Sequence, residues 1–169
     1  MLERLPDGTQ IFIRPIRADD KRYLEIGLRH LSDESVHRRF PSPKSSFSRS
    51  ELRYLTEVDG RDHVALVAEY PGEPVRRLIA VGRFVRHHDD PTAAEAAIVV
   101  ADDWQRRGVG SLFAERLARK ARQRGITTFT ATMSSENVAA HKLMRRLTLH
   151  LHEEHAGSGV SELSGELAA

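Results

Sequence analysis

Residues 96–125 read AAIVVADDWQRRGVGSLFAERLARKARQRG, and the fold turns on what this stretch must become. AAIVVADD (96–103) is apolar and β-branched, then acidic: a buried strand running out into a short turn. SLFAERLARKARQRG (111–125) has an amphipathic pattern closed by Gly125, which makes it a helix. Between them lies WQRRGVGSLF (104–113), with two glycines one residue apart at the helix mouth. Gly108 and Gly110 can take positive φ and carry no Cβ to block a ligand at the backbone. The N–H groups of the following helix start, aided by its dipole, favour anions. Gln105, Arg106 and Arg107 add polar and cationic side chains at the same point. The plainer reading is a turn whose glycines only allow a sharp change of direction. A P-loop is disfavoured because GK[ST] is missing, and a dinucleotide fingerprint because the third glycine is missing.

Composition narrows the setting. The 169 residues are 40% apolar and 30% charged, with a formal net charge of +2, which suits one globular domain spanning 1–169 with its core over about 10–155. Cysteine is absent, so disulfides, thiol nucleophiles and zinc–thiolate sites are excluded. No run approaches the roughly 18 apolar residues of a membrane span, and MLERLPDGTQ lacks a signal-peptide core. A cytoplasmic protein with no membrane partner is the expectation. His87, His88, Asp89 and Asp90 have metal-ligating chemistry but read as a solvated turn, and His150 and His152 read as one face of a surface strand. No metal is expected.

Around the opening stretch the pattern alternates between strands and helices. QIFIRPI (10–16) alternates as a strand, Leu24, Leu28 and Leu31 fall at helical spacing, and PSPKSS (41–46) is a loop. Ser48 and Glu51 form a capping box for a second helical piece. HVALVAEY (63–70) and RRLIAVGRFV (76–85) are strands joined by a turn at PGEP (71–74), and HHDDPT (87–92) turns into AEAAIVV (94–100). ITTFTATM (126–133) is a further strand. A helix from about Asn137 to Leu147 sets Ala140, Leu143, Met144 and Leu147 on one stripe. LHLHEE (149–154) is a last alternating strand, with room for one more in the tail. Together these describe a mixed α/β sheet with helices on its faces.

Two motifs then carry a resemblance. Gln105-Arg106-Arg107-Gly108-Val109-Gly110 resembles the Q/R-x-x-G-x-G/A motif of the GNAT acyl-CoA-dependent N-acetyltransferases. Asn137, Ala140, Leu143 and Arg146 match the N-x-x-A-x-x-L-x-x-[KR] helix that the family sets beside its cofactor. LPDGTQIFIRPIRADD, LSDESVHRRF and AEAAIVVADDWQRRGVG further resemble the acetyltransferase domain of bacterial Pat-type protein lysine acetyltransferases. The resemblance implies the α+β GNAT fold: a central mixed, mostly antiparallel sheet of six to seven strands flanked by about four helices. It implies direct attack of an amine on acetyl-CoA, with a protein lysine as first-choice acceptor. Residues Gln105, Arg106, Arg107, Gly108, Val109, Gly110 and Ser111 would bind the pyrophosphate through backbone N–H groups. Ile98, Val99 and Val100 would pair with the pantetheine arm, and Asn137 would hold that arm in place.

A lysine ammonium, of pKa about 10.4, is no nucleophile, so a base is needed. Glu95 is the candidate, as the single carboxylate in TAAEAAIVV, placed like the family's catalytic glutamate; burial would raise its basicity. Where many relatives have a tyrosine that protonates the leaving thiolate, this chain has Met144, expected in the core. Thr148 and Leu149 stand where the family has Gly-Phe. Trp104 is expected to pack under the glycine turn. Three readings stay open: an enzyme acting on a protein lysine or on a small-molecule amine, a weak or inactive acyl-CoA-binding regulatory module, and a nucleic-acid-binding helix at Arg106–Arg124. The last lacks a partner helix and interleaved aromatics. Monomer and homodimer are both compatible with the sequence.

Overall fold

A computed structural model describes residues 1–40, 42–72 and 74–169; Pro41 of the expected loop and Glu73 of the PGEP turn lie outside the described residues. The chain runs β1 (Leu2–Arg4), β2 (Gln10–Pro15), α1 (Lys21–His30), α2 (Asp33–Arg39), α3 (Arg49–Thr56), β3 (His63–Glu69), β4 (Leu78–Arg86), β5 (Ala93–Val100), α4 (Val109–Arg122), β6 (Thr128–Ser134), α5 (Val138–Leu147), β7 (Thr148–Gly157) and β8 (Val160–Leu167). The eight strands form one sheet in the order β1-β2-β3-β4-β5-β6-β8-β7. Every described pairing is antiparallel except β5 with β6. The expected six to seven strands become eight, through the short edge strand β1 and a full hairpin at the C-terminus.

Helices cover both faces. On one side, Phe84, Ala94, Phe113, Leu117 and Phe129 belong to the larger core cluster under α4 and α5. On the other, Leu24, Leu52, Val67 and Leu78 form a second cluster under α1 and α3. The strand period of two divides β3 between them, Val64, Leu66 and Ala68 going to the first and Ala65 and Val67 to the second. Leu5, Leu163 and Leu167 are core residues too, so the hydrophobic core reaches beyond the expected 10–155 at both ends.

Local signals fix several element starts. Ser48 Oγ accepts from Glu51 N–H while Glu51 accepts from Ser48 N–H, the capping box read from sequence. Gly82 lets β4 approach α4: a Cβ there would lie 2.7 Å from Phe113 and 3.0 Å from Leu117. A buried Arg14 forks onto Asp20 with two bonds of 2.7 Å and ties the start of α1 to β2. Burial raises the Asp20 carboxyl, but the Arg14 bonds and the Arg17 N–H outweigh it and hold the carboxyl below its usual range.

Candidate active site

β5 changes partners along its length. All of Ala94–Val100 pairs with β4, whereas pairing with β6 stops after Ala93, Ala94 and Glu95 meet Thr128, Phe129 and Thr130. Beyond Glu95 the two strands diverge, because β6 follows β8. The divergence leaves a cleft of about 780 Å³ between the β5 edge and α5. Its floor is apolar, and Arg38, Arg106 and Lys142 stand among the residues around it.

The glycine turn closes one end. Gly108 takes φ +88°, which side chains rarely adopt, and a Cβ there would also meet Pro6 at 3.0 Å. Helix α4 therefore starts abruptly: its first intrahelical bond runs from Leu112 N–H to the Gly108 carbonyl at 3.0 Å, so the N–H groups of Val109, Gly110 and Ser111 precede the ladder. Gly110 lines the cleft, and a Cβ on it would make only ordinary contact with Leu143 at 3.5 Å. Arg106, also at positive φ (+58°), is exposed at the rim.

The structure gives the neighbouring side chains bracing roles. Gln105 donates to Ser35 Oγ (3.0 Å), the Val100 carbonyl (3.1 Å) and Asp102 (3.2 Å). Asp102 in turn accepts from Ser32 N–H at 2.6 Å and Ser35 Oγ at 2.5 Å, which pins the start of α2 over the cleft. Arg107 does not serve the cleft with its side chain: its guanidinium pairs with Asp7 at 2.9 Å, bonds Thr9 and stacks 4.2 Å over the Trp104 ring. Of the two expected cations, Arg106 lines the cleft and Arg107 does not. Trp104 is buried under the turn, against Tyr70, as its sequence position suggested. Val109 points into the core, so only its backbone is available to a ligand.

Ile98, Val99 and Val100 lie along the unpartnered β5 edge and line the cleft. Asn137 lines it too and caps α5, its Oδ1 accepting from Ala140 N–H at 3.1 Å. The stripe of Ala140, Leu143 and Leu147 is only half-buried because it faces the cleft; Met144 alone is fully in the core, at 5% exposure. Arg146 ties α5 to α4 through Glu115 at 2.6 Å. Thr148, in the place of the family glycine, bonds the Met144 carbonyl at 2.6 Å.

Glu95 sits where the strands part, as the last residue of β5 paired to β6. It is exposed, which corrects the expected burial: it alternates with the buried Ala94 and so points away from the α4 side of β5. Arg39, on α2, is the cation that feels its charge. The polar clusters set aside in the sequence stay apart from the cleft. His87 bonds Thr130 at 2.8 Å, and Asp90 holds the turn through Thr92. At His150 a bulge with φ +52° interrupts the alternation that was to set His150 and His152 on one face. The basic run of α4 is largely engaged by the protein itself, Arg116 by Glu3, Arg122 by the Ala168 carbonyl and Arg124 by the Gly60 carbonyl. Among the described residues no helix is long and apolar enough to cross a membrane.

Sequence reasoning assigned no role to Arg38, Arg39 or Arg83, nor to the Ser35–Asp102–Gln105 brace. Arg38 and Arg39 lie inside LSDESVHRRF, but only the packing of α2 against β5 and β6 reveals where they stand.

The sequence matches the acetyltransferase (GNAT) family over residues 30–148. It is 38% identical to acetyltransferase Pat of Mycolicibacterium smegmatis over 141 residues, which are 83% of this chain and 41% of that protein. It is 28% identical to acetyltransferase PA5475 of Pseudomonas aeruginosa over 146 residues, covering 86% of this chain and 76% of the other. The fold superposes on the GNAT domain of S. lividans PAT with a TM-score of 0.85 at 30% identity, over 99% of this chain and 96% of that one. The chain thus spans about two fifths of the length of the mycobacterial relative. With its strand order, its divergent β5–β6 pair and its glycine turn, this chain belongs to the GNAT family of acetyltransferases.

Proposed function

We propose that the chain transfers an acetyl group from acetyl-CoA to an amine, a protein lysine being the acceptor class, with Glu95 as the base. The observation that carries this reading is the unpartnered β5 edge beside the bare N-terminus of α4. When bound, acetyl-CoA supplies an activated acetyl thioester. The residues present suit such a ligand. The edge of Ile98–Val100 offers strand-like hydrogen bonds to an amide-bearing arm. The N–H groups of Val109, Gly110 and Ser111, with the α4 dipole, favour a diphosphate, and Arg106 adds charge at the rim. Asn137 keeps α5 in place along the arm. An N–H of the β5 edge is a fixed donor to the carbonyl oxygen under attack, where negative charge develops.

Glu95 takes the proton of the acceptor ammonium, freeing the lone pair. Because Glu95 is exposed, that proton passes on readily to water. Met144 is buried and has no proton to give, so protonation of a departing thiolate would fall to solvent. That same substitution favours a second reading, an acyl-CoA-binding module without turnover.

One experiment separates the two. Acetyl-CoA is expected to raise the melting temperature of the protein, since it binds only the folded state, and Gly110→Glu to abolish the rise by filling the cleft with a charge. CoA release against a panel of amines and proteins, with mass spectrometry of the products, then reads turnover. Glu95→Gln is expected to retain the thermal shift and lose roughly 10²–10⁴-fold in turnover. Full activity in that variant would take the base role from Glu95. A thermal shift without turnover on any acceptor would favour the binding module.

A further inference from the structure

On the face covered by α1, α2 and α3, β4 places Arg83 opposite Ala97 of β5, and Val81 opposite Val99. A cavity of about 80 Å³ lies over them, with Leu24, Leu28, Phe40, Arg39 and Arg83 in its lining. It adjoins the cleft, sharing Arg39, Ala97 and Val99 with its lining. The cavity therefore opens beside the point where β5 and β6 part, on the same face of β5 as Glu95.

The two guanidiniums are short of partners. Arg83 is 7% exposed and uses only Nη1, which donates to the Leu55 carbonyl at 3.1 Å and to His63 Nε2 at 3.0 Å. Its Nε and Nη2 take no acceptor among the described residues. Arg39 makes no hydrogen bond and no ion pair among them; it lies 4.8 Å over the Phe40 ring. Burial holds Arg39 below the usual guanidinium range. Burial and the charge of Arg39 push Arg83 down to about 10. Elsewhere the fold behaves differently: the buried Arg14 has Asp20 and Glu69. Arg83 is buried and Arg39 half-buried, and against two like charges with idle donors the structure sets only the exposed Glu95, so a further anion is favoured there.

We propose that this cavity receives a carboxylate carried by the acceptor close to its amine. The inference rests on the acetyl-transfer reading above. A carboxylate is planar and matches the guanidinium fork. The hydrocarbon walls suit the methylene stem behind it, whereas a phosphate would press further oxygens against those walls. The carboxylate could belong to an acidic residue beside an acceptor lysine, or to the α-carboxyl of a free amino acid.

Initial rates at saturating acetyl-CoA test the proposal with two matched pairs: a lysine peptide flanked by glutamate against its glutamine isostere, and a free amino acid against its amide. The expected result is a KM about tenfold lower for the acid than for the amide in one pair, and the pair that shows it identifies the source. Arg39→Gln is expected to bring that ratio to about one. Equal KM values within both pairs, or a ratio that survives Arg39→Gln, overturns the carboxylate site while leaving acetyl transfer standing. If no amine is acetylated, the acetyl-transfer reading fails and the cavity is judged by nitrogen NMR of the arginine side chains titrated with glutarate. Saturable displacement of the Arg39 and Arg83 signals supports the site, and its absence overturns it.

Discussion

On one face of β4 and β5, Phe84 and Ala94 meet α4 in hydrocarbon packing so close that Gly82 has no room for a Cβ. On the other face the same two strands present Arg83 and Glu95 to the side covered by α1–α3, and α2 adds Arg39. The first face is arranged to remove apolar surface from water, and it meets the cleft farther along, where Leu117 and Phe129 line it. The second holds two guanidiniums without an ion pair among the described residues, Arg39 feeling only the charge of the exposed Glu95. Such an arrangement lowers stability, so it marks the face where chemistry, rather than folding, set the residues.

The largest effect should come from breaking the packed face. Phe84→Ala removes a side chain with 0% exposure and is expected to lower stability by about 3–5 kcal/mol, read from urea unfolding. A loss below about 1 kcal/mol would mean that face is not close-packed. An intermediate effect should appear on the polar face as pH falls. His63 is pushed down to about 4 by burial and by the charge of Arg83, from an ordinary 6.5. Between these values the unfolded chain holds the proton and the folded chain does not, so stability drops as pH is lowered from about 6.5 to about 4. The urea midpoint should follow that course, and His63→Gln should flatten it. A midpoint that is level in the unaltered protein would show His63 to be open to water. The smallest effect has the opposite sign. Arg39→Leu gives up a charge with no hydrogen bond to lose, and should raise stability by about 1 kcal/mol, or roughly 2–4 °C in melting temperature. A clear loss instead would place Arg39 in the framework of the fold and erase the contrast between the faces.

Much of the cleft's surroundings was legible in the sequence, for reasons that act over short distances. Gly108 announces a left-handed turn, Ser48 with Glu51 a capping box, and Asn137 a helix start, because each concerns a backbone conformation or a bond within a few residues. Ala140, Leu143, Met144 and Leu147 share one stripe and all four border the cleft, yet only Met144 is buried. Periodicity reports which residues share a face and cannot tell a core from a ligand site.

The sequence by itself determined the strand, glycine turn and helix of 96–125, the α5 motif and the family they imply. The elements follow from local backbone preference and from apolar spacing along single elements, and the family from the resemblance that the two motifs carry. Only the tertiary structure decided that β8 enters between β6 and β7, that β6 then leaves β5 beyond Glu95, and that Arg107 turns away to Asp7. It alone decided that Glu95 stays exposed and that Arg39 and Arg83 share one cavity. Each of those outcomes joins residues from elements far apart in the chain, where the partner is chosen by how sheet and helices pack rather than by anything written near the residue itself.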